Sequence, residues 1–189
     1  MLDEPLNQNP LVQSGNLLVS EPFMADENFE RSVVLLCEHN PSGTFGFILN
    51  KPTPLTVSQA TDLDLLPYTL YLGGPVEPNM LHYLHCFDDI SNALPIRNGL
   101  FWGGDFDEIC QKASLGILSQ DNCRFFMGYS GWASEQLEDE IKENCWIISR
   151  AALNDILSVA SQTLWAKVLQ DMGGKYKVFS HFPTDPRVN

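Results

Sequence analysis

The sequence predicts an α+β fold. Strand-like apolar runs dominate its N-terminal half, helical stripes collect toward its C-terminus, and no regular strand–helix alternation marks a parallel α/β sheet. Its 189 residues are 44% hydrophobic and 19% charged, which supplies a real core and excludes disordered or collagen-like chains. One domain is expected over 15–189, after a flexible lead-in over 1–14 that carries Pro5, Asn7, Gln8, Asn9 and Pro10.

The elements follow in order. Gly15 to Ser20 reads as a first strand. Ser32 to Cys37 (SVVLLC) is a β-branched, nearly continuous apolar run, the pattern of a strand buried on both faces. Asn40-Pro41-Ser42-Gly43 signals a turn, and Thr44 to Asn50 returns at hairpin spacing, so 32–50 is an antiparallel pair. Thr56 with Gln59 fits a capping box for a short helix. Thr69 to Leu72 is a strand stopped by Gly73-Gly74-Pro75, and Leu81–Phe87 and Gly99–Trp102 are further strands. Asp105 with Glu108 as its reciprocal partner opens a helix to about Leu118. Arg124 to Tyr129 is a strand, a helix follows Ser134 with Leu137 and Ile141 on one face, and Trp146-Ile147-Ile148 is a short strand. Ser149 caps a helix over 150–160; Leu164, Val168 and Met172 stripe another, closed by Gly173; Phe182 to Pro186 is an extended tail.

Charge limits the partners. Eleven Lys and Arg against 24 Asp and Glu give −13, and the basic residues are scattered. Nucleic-acid binding needs clustered cations, and an anionic membrane surface repels this balance, so neither partner is expected. Glu135, Glu138, Asp139, Glu140 and Glu143 form an acid run that reads as a solvated helix face. No apolar stretch is long enough for a membrane span, and the first residues lack a signal-peptide pattern. Five cysteines without CxxC suit reduced thiols, so a cytoplasmic location is expected.

Four constellations carry chemistry-capable side chains. His82, His85 and Cys86 would converge as metal ligands on a helix, but a strand turns His85 away from the other two, so no metal is expected. Ser130 sits between glycines, yet Gly131 follows it directly where a nucleophile elbow needs an intervening residue; Gly128 to Trp132 reads instead as a tight strand-to-helix turn. Gly73-Gly74 reads as a turn whose N–H groups could cup an anion. Glu38-His39 pairs a carboxylate with an imidazole at a strand end, which suits either proton transfer or a structural hydrogen bond.

Taken together the motifs resemble the YqgE/AlgH family of small bacterial proteins. GNLLVSEPFMADENFERSVVLLCEH (15–39) runs into GTFGFILNKP (43–52), and GGPV (73–76), RFFMGYSGW (124–132), QLEDEI (136–141) and Trp146 follow in order. The resemblance implies an α+β fold with a complex bifurcated mixed sheet, a small barrel-like part and surrounding helices, no cofactor, and no established biochemical function beyond a transcriptional-regulator label. Its pattern singles out Arg31, Ser32, Glu38, His39, Gly43, Asn50, Gly73, Gly74, Pro75, Gly128, Tyr129, Gly131, Trp132, Gln136 and Glu138. Many members carry Ala in place of Ser130 and Gly in place of Glu135.

The leading expectation is a non-catalytic protein that binds a small ligand or a protein partner. Arg31, Glu38, His39, Asn50, Tyr129, Trp132, Gln136 and Glu138 are expected around one cleft, with Ser32, Gly73 and Gly74 as further binding candidates, and with an Arg31 salt bridge to Glu38 or Glu138 as the structural alternative. The alternatives for function are a hydrolase-like enzyme using Glu38 and His39, and a regulator acting through a protein partner. Fluorescence anisotropy with duplex and single-stranded oligonucleotides should show no salt-sensitive sub-micromolar binding.

Overall fold

A computed structural model describes residues 12–64, 66–97, 99–150 and 156–183. Its centre is a ten-stranded mixed sheet. β1 (Leu17–Ser20) lies between β2 (Val33–Asn40) and β10 (Trp146–Ser149), and β2 forms a hairpin with β3 (Gly43–Ile48). Val33 to Leu36 are fully buried, as their unbroken apolar run predicts. β3 pairs with the long β9 (Cys123–Ala133), β9 with β6 (Val76–His85), and β6 with β8 (Leu100–Trp102) and then β7 (Leu94–Arg97).

β9 is shared at one edge. Its end, Ser130 to Ala133, pairs antiparallel with β3, while Phe125 to Met127 pairs parallel with β5 (Thr69–Leu72), which also carries β4 (Pro52–Thr56). The sheet therefore forks, as the family resemblance implies. The link Gly73-Gly74 passes through the fork: Gly73 N donates to Met127 O (2.9 Å), and Gly73 O accepts from Ile48 N (2.9 Å) and Ser130 Oγ (3.0 Å). A Cβ on Gly73 would lie 2.2 Å from Gly128 O, and one on Gly74 2.2 Å from Tyr129 O, so only glycine fits.

Three apolar clusters hold the layers. α4 (Ser161–Met172) sets Leu164, Trp165, Val168 and Leu169 on Leu17, Val19, Val33, Leu35 and Phe47. On the opposite face Leu137 and Ile141 of α3 (Gln136–Lys142) cover Leu18, Val34, Leu36, Ile48 and Trp132. α1 (Val57–Ala60) and α2 (Phe106–Ser114) close the third cluster over Leu70, Tyr83 and Phe125. Each fully buried Leu or Val contributes about 2 kcal/mol.

Several expectations change. The strand order runs open from β10 to β7, so the implied barrel-like part is not closed among the described residues, and the helices cover patches rather than surround the sheet. Gly128 to Trp132 is continuous strand rather than a turn, with Gly128 kinked at φ 67°. Asp105 caps α2, but Glu108 bonds Ser91 N and Oγ instead of returning to the cap, and the helix ends at Ser114. The Thr56–Gln59 box closes in both directions. α3 starts after Glu135, a non-glycine residue at φ 65°. Past Gly173 a further helix, α5 (Gly174–Phe179), occupies a stretch for which the sequence predicts no element. Ser14, assigned to the lead-in, is tied down by donating to Cys37 O at 2.6 Å. Of the helix expected over 150–160, residues 151–155 lie outside the described residues and 156–159 form turn and bend rather than helix; the tail beyond Pro183 lies outside them as well.

Gly73→Ala should lose about 3 kcal/mol or more in urea unfolding, since a backbone carbonyl blocks its Cβ. Gly116 sits at φ 69° in open space, and Gly116→Ala should lose only about 1 kcal/mol.

Candidate functional site

The β2–β3 hairpin contains a bulge. Leu36 pairs with Gly46, but the next pairs are Glu38 with Phe45 and His39 with Thr44, which leaves Cys37 as the extra residue. Directly opposed residues share a face, so the bulge carries Glu38 to the face of Phe45 and His39 to the face of Thr44.

On the Glu38 side lies an open cleft of about 500 Å³. Phe45, Trp102 and Tyr129 wall it, with Val76, Gly131 and the hairpin residues Asn40, Ser42 and Gly43 around them. The Phe45 ring sits 4.8 Å from that of Trp102 and 4.9 Å from that of Tyr129, tilted by 42° and 52°, so the three half-buried rings form a curved wall. His82 packs behind them, 5.8 Å from the Tyr129 ring, and burial pushes its imidazole below the ordinary value, opposed by Glu77. Asn40 Nδ2 donates to Glu38 Oε1 at 2.7 Å while Asn40 Oδ1 accepts from Ser42 N at 2.8 Å, fixing the carboxylate to the turn. Among the described residues neither Trp102 Nε1 nor Tyr129 Oη has a hydrogen-bond partner in the protein, whereas the other three indole N–H groups do.

On the other side His39 shares a 2.7 Å hydrogen bond between Nδ1 and Thr44 Oγ1, and its Nε2 lies 3.6 Å from Glu138 Oε1. These residues line a separate hollow with Ser134 and Glu135. Glu38 and His39 therefore border different hollows.

The remaining residues are distributed as well. Trp132 Nε1 and Trp146 Nε1 both donate to Glu140 Oε2, at 2.8 and 2.7 Å, and Gln136 Nε2 donates to Glu140 Oε1 at 2.9 Å. Gln136 Oε1 accepts from Ala133 N at 3.0 Å, which ties the start of α3 to the end of β9. Asn50 clamps the chain by accepting from Val33 N (2.8 Å) and donating to Arg31 O (2.9 Å). Ser32 is buried, its N–H donating to Ser20 Oγ at 2.9 Å and its Oγ donating to Phe29 O at 2.8 Å. Arg31 stacks its guanidinium 4.7 Å from the Trp165 ring and donates to Phe182 O, so it pairs with neither Glu38 nor Glu138. The expected single cleft is thus divided: Glu38, Tyr129 and Trp132 border the aromatic cleft, His39 and Glu138 the second hollow, Gln136 and the Trp132 indole N–H the Glu140 cluster, and Arg31, Ser32 and Asn50 a chain-anchoring cluster, with Gly73 and Gly74 at the fork.

His82 and His85 take opposite faces of β6: His82 meets Phe45 and Phe47, while His85 stacks on Phe87 and Phe101 and contacts Gly103 O at 2.9 Å. Among the described residues no three His, Cys, Asp or Glu side chains gather around one metal position. No described helix is long and apolar enough to cross a membrane.

Glu140 is the clearest residue that sequence reasoning missed. Its removal strands two indole N–H groups, so Glu140→Ala should cost about 2–4 kcal/mol, and Glu140→Gln, which keeps an acceptor, about 1 kcal/mol. Chemical denaturation of the two variants measures both.

Comparison with known proteins fits this architecture. A family model described as AlgH-like (DUF179) matches residues 17–177. A UPF0301 protein of Cytophaga hutchinsonii is 45% identical over 182 residues, covering 95% of this chain and 100% of that protein. One from Bacteroides thetaiotaomicron is 41% identical over 187 residues, covering 97% and 94%. Protein DIP2367 from Corynebacterium diphtheriae, solved by crystallography, superposes with a TM-score of 0.76 at 26% identity, over 93% of this chain and 95% of that one. The solution structure of the AlgH protein from Pseudomonas aeruginosa shares the fold, with a TM-score of 0.72 at 24% identity over 93% and 96% of the chains. With the family pattern matched over most of its length and close relatives aligned end to end, this chain belongs to the AlgH-like, UPF0301 family.

Proposed function

We propose that this protein is a non-catalytic binding protein whose ligand, a small molecule or a side chain of a protein partner, sits in the aromatic cleft between the β2–β3 hairpin, Val76, Trp102 and Tyr129. The observation that carries this reading is the separation of Glu38 from His39. A hydrolase built on that pair needs carboxylate and imidazole within reach of one substrate atom. Here strand alternation puts them on opposite faces, the bulge at Cys37 decides which face each takes, and His39 is engaged by Thr44. Ser130 is no substitute nucleophile, because its buried hydroxyl donates to Gly73 O.

What the cleft offers is recognition chemistry. Half-buried rings supply apolar contact area, and Trp102 Nε1 and Tyr129 Oη supply polar atoms not already committed to the protein. A regulator acting through a protein partner would use the same surface, since −13 net charge disfavours direct contact with nucleic acid. Five reduced cysteines, with the Cys37 and Cys123 thiols pushed up by burial, favour a reducing, cytoplasmic setting.

The test is an indole-region NMR screen against small aromatic and amine fragments. The Trp102 N–H resonance, assigned by its loss in Trp102→Phe, should move while those of Trp132, Trp146 and Trp165 stay. Shifts confined to the other three would remove the ligand from this cleft. Ester or amide hydrolysis abolished by His39→Ala would replace the binding reading with the catalytic one.

A further inference from the structure

We propose that the aromatic cleft selects an organic cation, an ammonium or guanidinium group, held against the Phe45–Trp102–Tyr129 wall and countered by Glu38. The inference rests on the binding reading above and names its ligand class.

The wall supplies the first half of the recognition. Aromatic faces attract cations, and the Trp102 and Tyr129 rings, each packed on Phe45 at centroid spacings of 4.8 and 4.9 Å, give the cleft a continuous aromatic lining for a charged head to lie against. Glu38 supplies the second half. Among the described residues it is the only charged side chain lining the cleft, it is negative, and the Cys37 bulge together with the Asn40 amide directs it there.

Among the described residues no lysine or arginine lines the cleft to compete with a bound cation. The basic side chain packed behind the wall is His82, which burial keeps in its neutral form, with Nε2 buried and unpartnered among the described residues. The net charge of −13 adds a long-range field that concentrates cations and repels anions near the surface. An anionic or phosphorylated ligand meets the opposite conditions at each of these points.

Two matched pairs test the class and separate its sources. Choline and its uncharged isostere 3,3-dimethylbutan-1-ol represent a free small cation. A blocked Gly-Arg-Gly peptide and its citrulline counterpart represent a basic side chain on a partner. Each is titrated into the intact protein while the Trp102 indole N–H is followed. The charged member of at least one pair should bind more tightly than its neutral twin. Glu38→Gln, at an exposed position, should weaken the charged member about fivefold and leave the neutral one unchanged. Added salt should act in the same direction. Preference for choline alone assigns a small free cation, and preference for the arginine peptide alone assigns a partner's side chain. Equal binding of charged and neutral members, or indifference to Glu38→Gln, overturns the cation class while leaving the cleft a binding site. Absence of any Trp102 response to all four compounds overturns the cation class as well, and the fragment screen then decides separately whether the cleft binds anything.

Discussion

The whole arrangement depends on one close approach of backbone to backbone. At Gly73-Gly74 the chain leaving β5 passes against Gly128 and Tyr129 of β9, with room for hydrogens only. A single carbonyl, Gly73 O, bonds both β3, through Ile48 N, and β9, through Ser130 Oγ. That contact lets one edge of β9 serve β5 along its first half and β3 along its second. Without the fork, Tyr129 would not stand beside Phe45 of β3 while its strand also pairs with β6. Gly128 and Ser130 of the RFFMGYSGW motif thus have a structural reason for their identities, and that reason accounts for the hydroxyl that superficially resembles a nucleophile.

The second device is smaller and sets the chemistry. In a regular hairpin Cys37 would oppose Phe45, and Glu38 would face the α3 side with Thr44. One extra residue reverses this, so a carboxylate, not a thiol, borders the aromatic wall. The bulge leaves Cys37 in the core, where burial keeps it protonated. It also commits His39 to the opposite face beside Glu138. Strand alternation keeps these neighbours in sequence apart, and on the aromatic side a carboxylate without a base remains as an electrostatic group.

Legibility from sequence followed the locality of the signal. Val33 to Leu36, the Thr56–Gln59 box and the Leu164 stripe were readable because their causes lie within a few residues. β4 (PTPLT) and β7 (LPIR) were not, because prolines argue against strands and are tolerated here on a sheet's outlying strands. The end of β9 was hidden because glycines needed for backbone approach look like turn formers. At the site, Glu38 and Tyr129 stood out in the family pattern. Phe45 and Trp102 did not, since they meet only through the pairing of distant strands, and no spacing in the sequence records that register. Glu140 was concealed inside an acid run that otherwise has the composition of a solvated helix face, yet it is the acceptor on which indoles from β9 and β10 converge.

The tryptophans distinguish scaffold from binding surface. Trp132, Trp146 and Trp165 are each at most 5% exposed, and each indole N–H reaches an acceptor, Glu140 or Ser20 O. That is the behaviour stability demands, since an unpaired buried donor costs about 1–3 kcal/mol. Trp102 departs from it: half-buried, it keeps its N–H free of protein partners and shares a cleft with an equally uncommitted Tyr129 hydroxyl. Packing explains why one side of these rings is covered by Phe45 and Phe47. It does not explain why large amphipathic rings end a cleft with their polar atoms turned to solvent beside a fixed carboxylate. Recognition of an outside group supplies that reason, because such a group gains contact area and a counter-charge there without first displacing a bond the protein makes to itself.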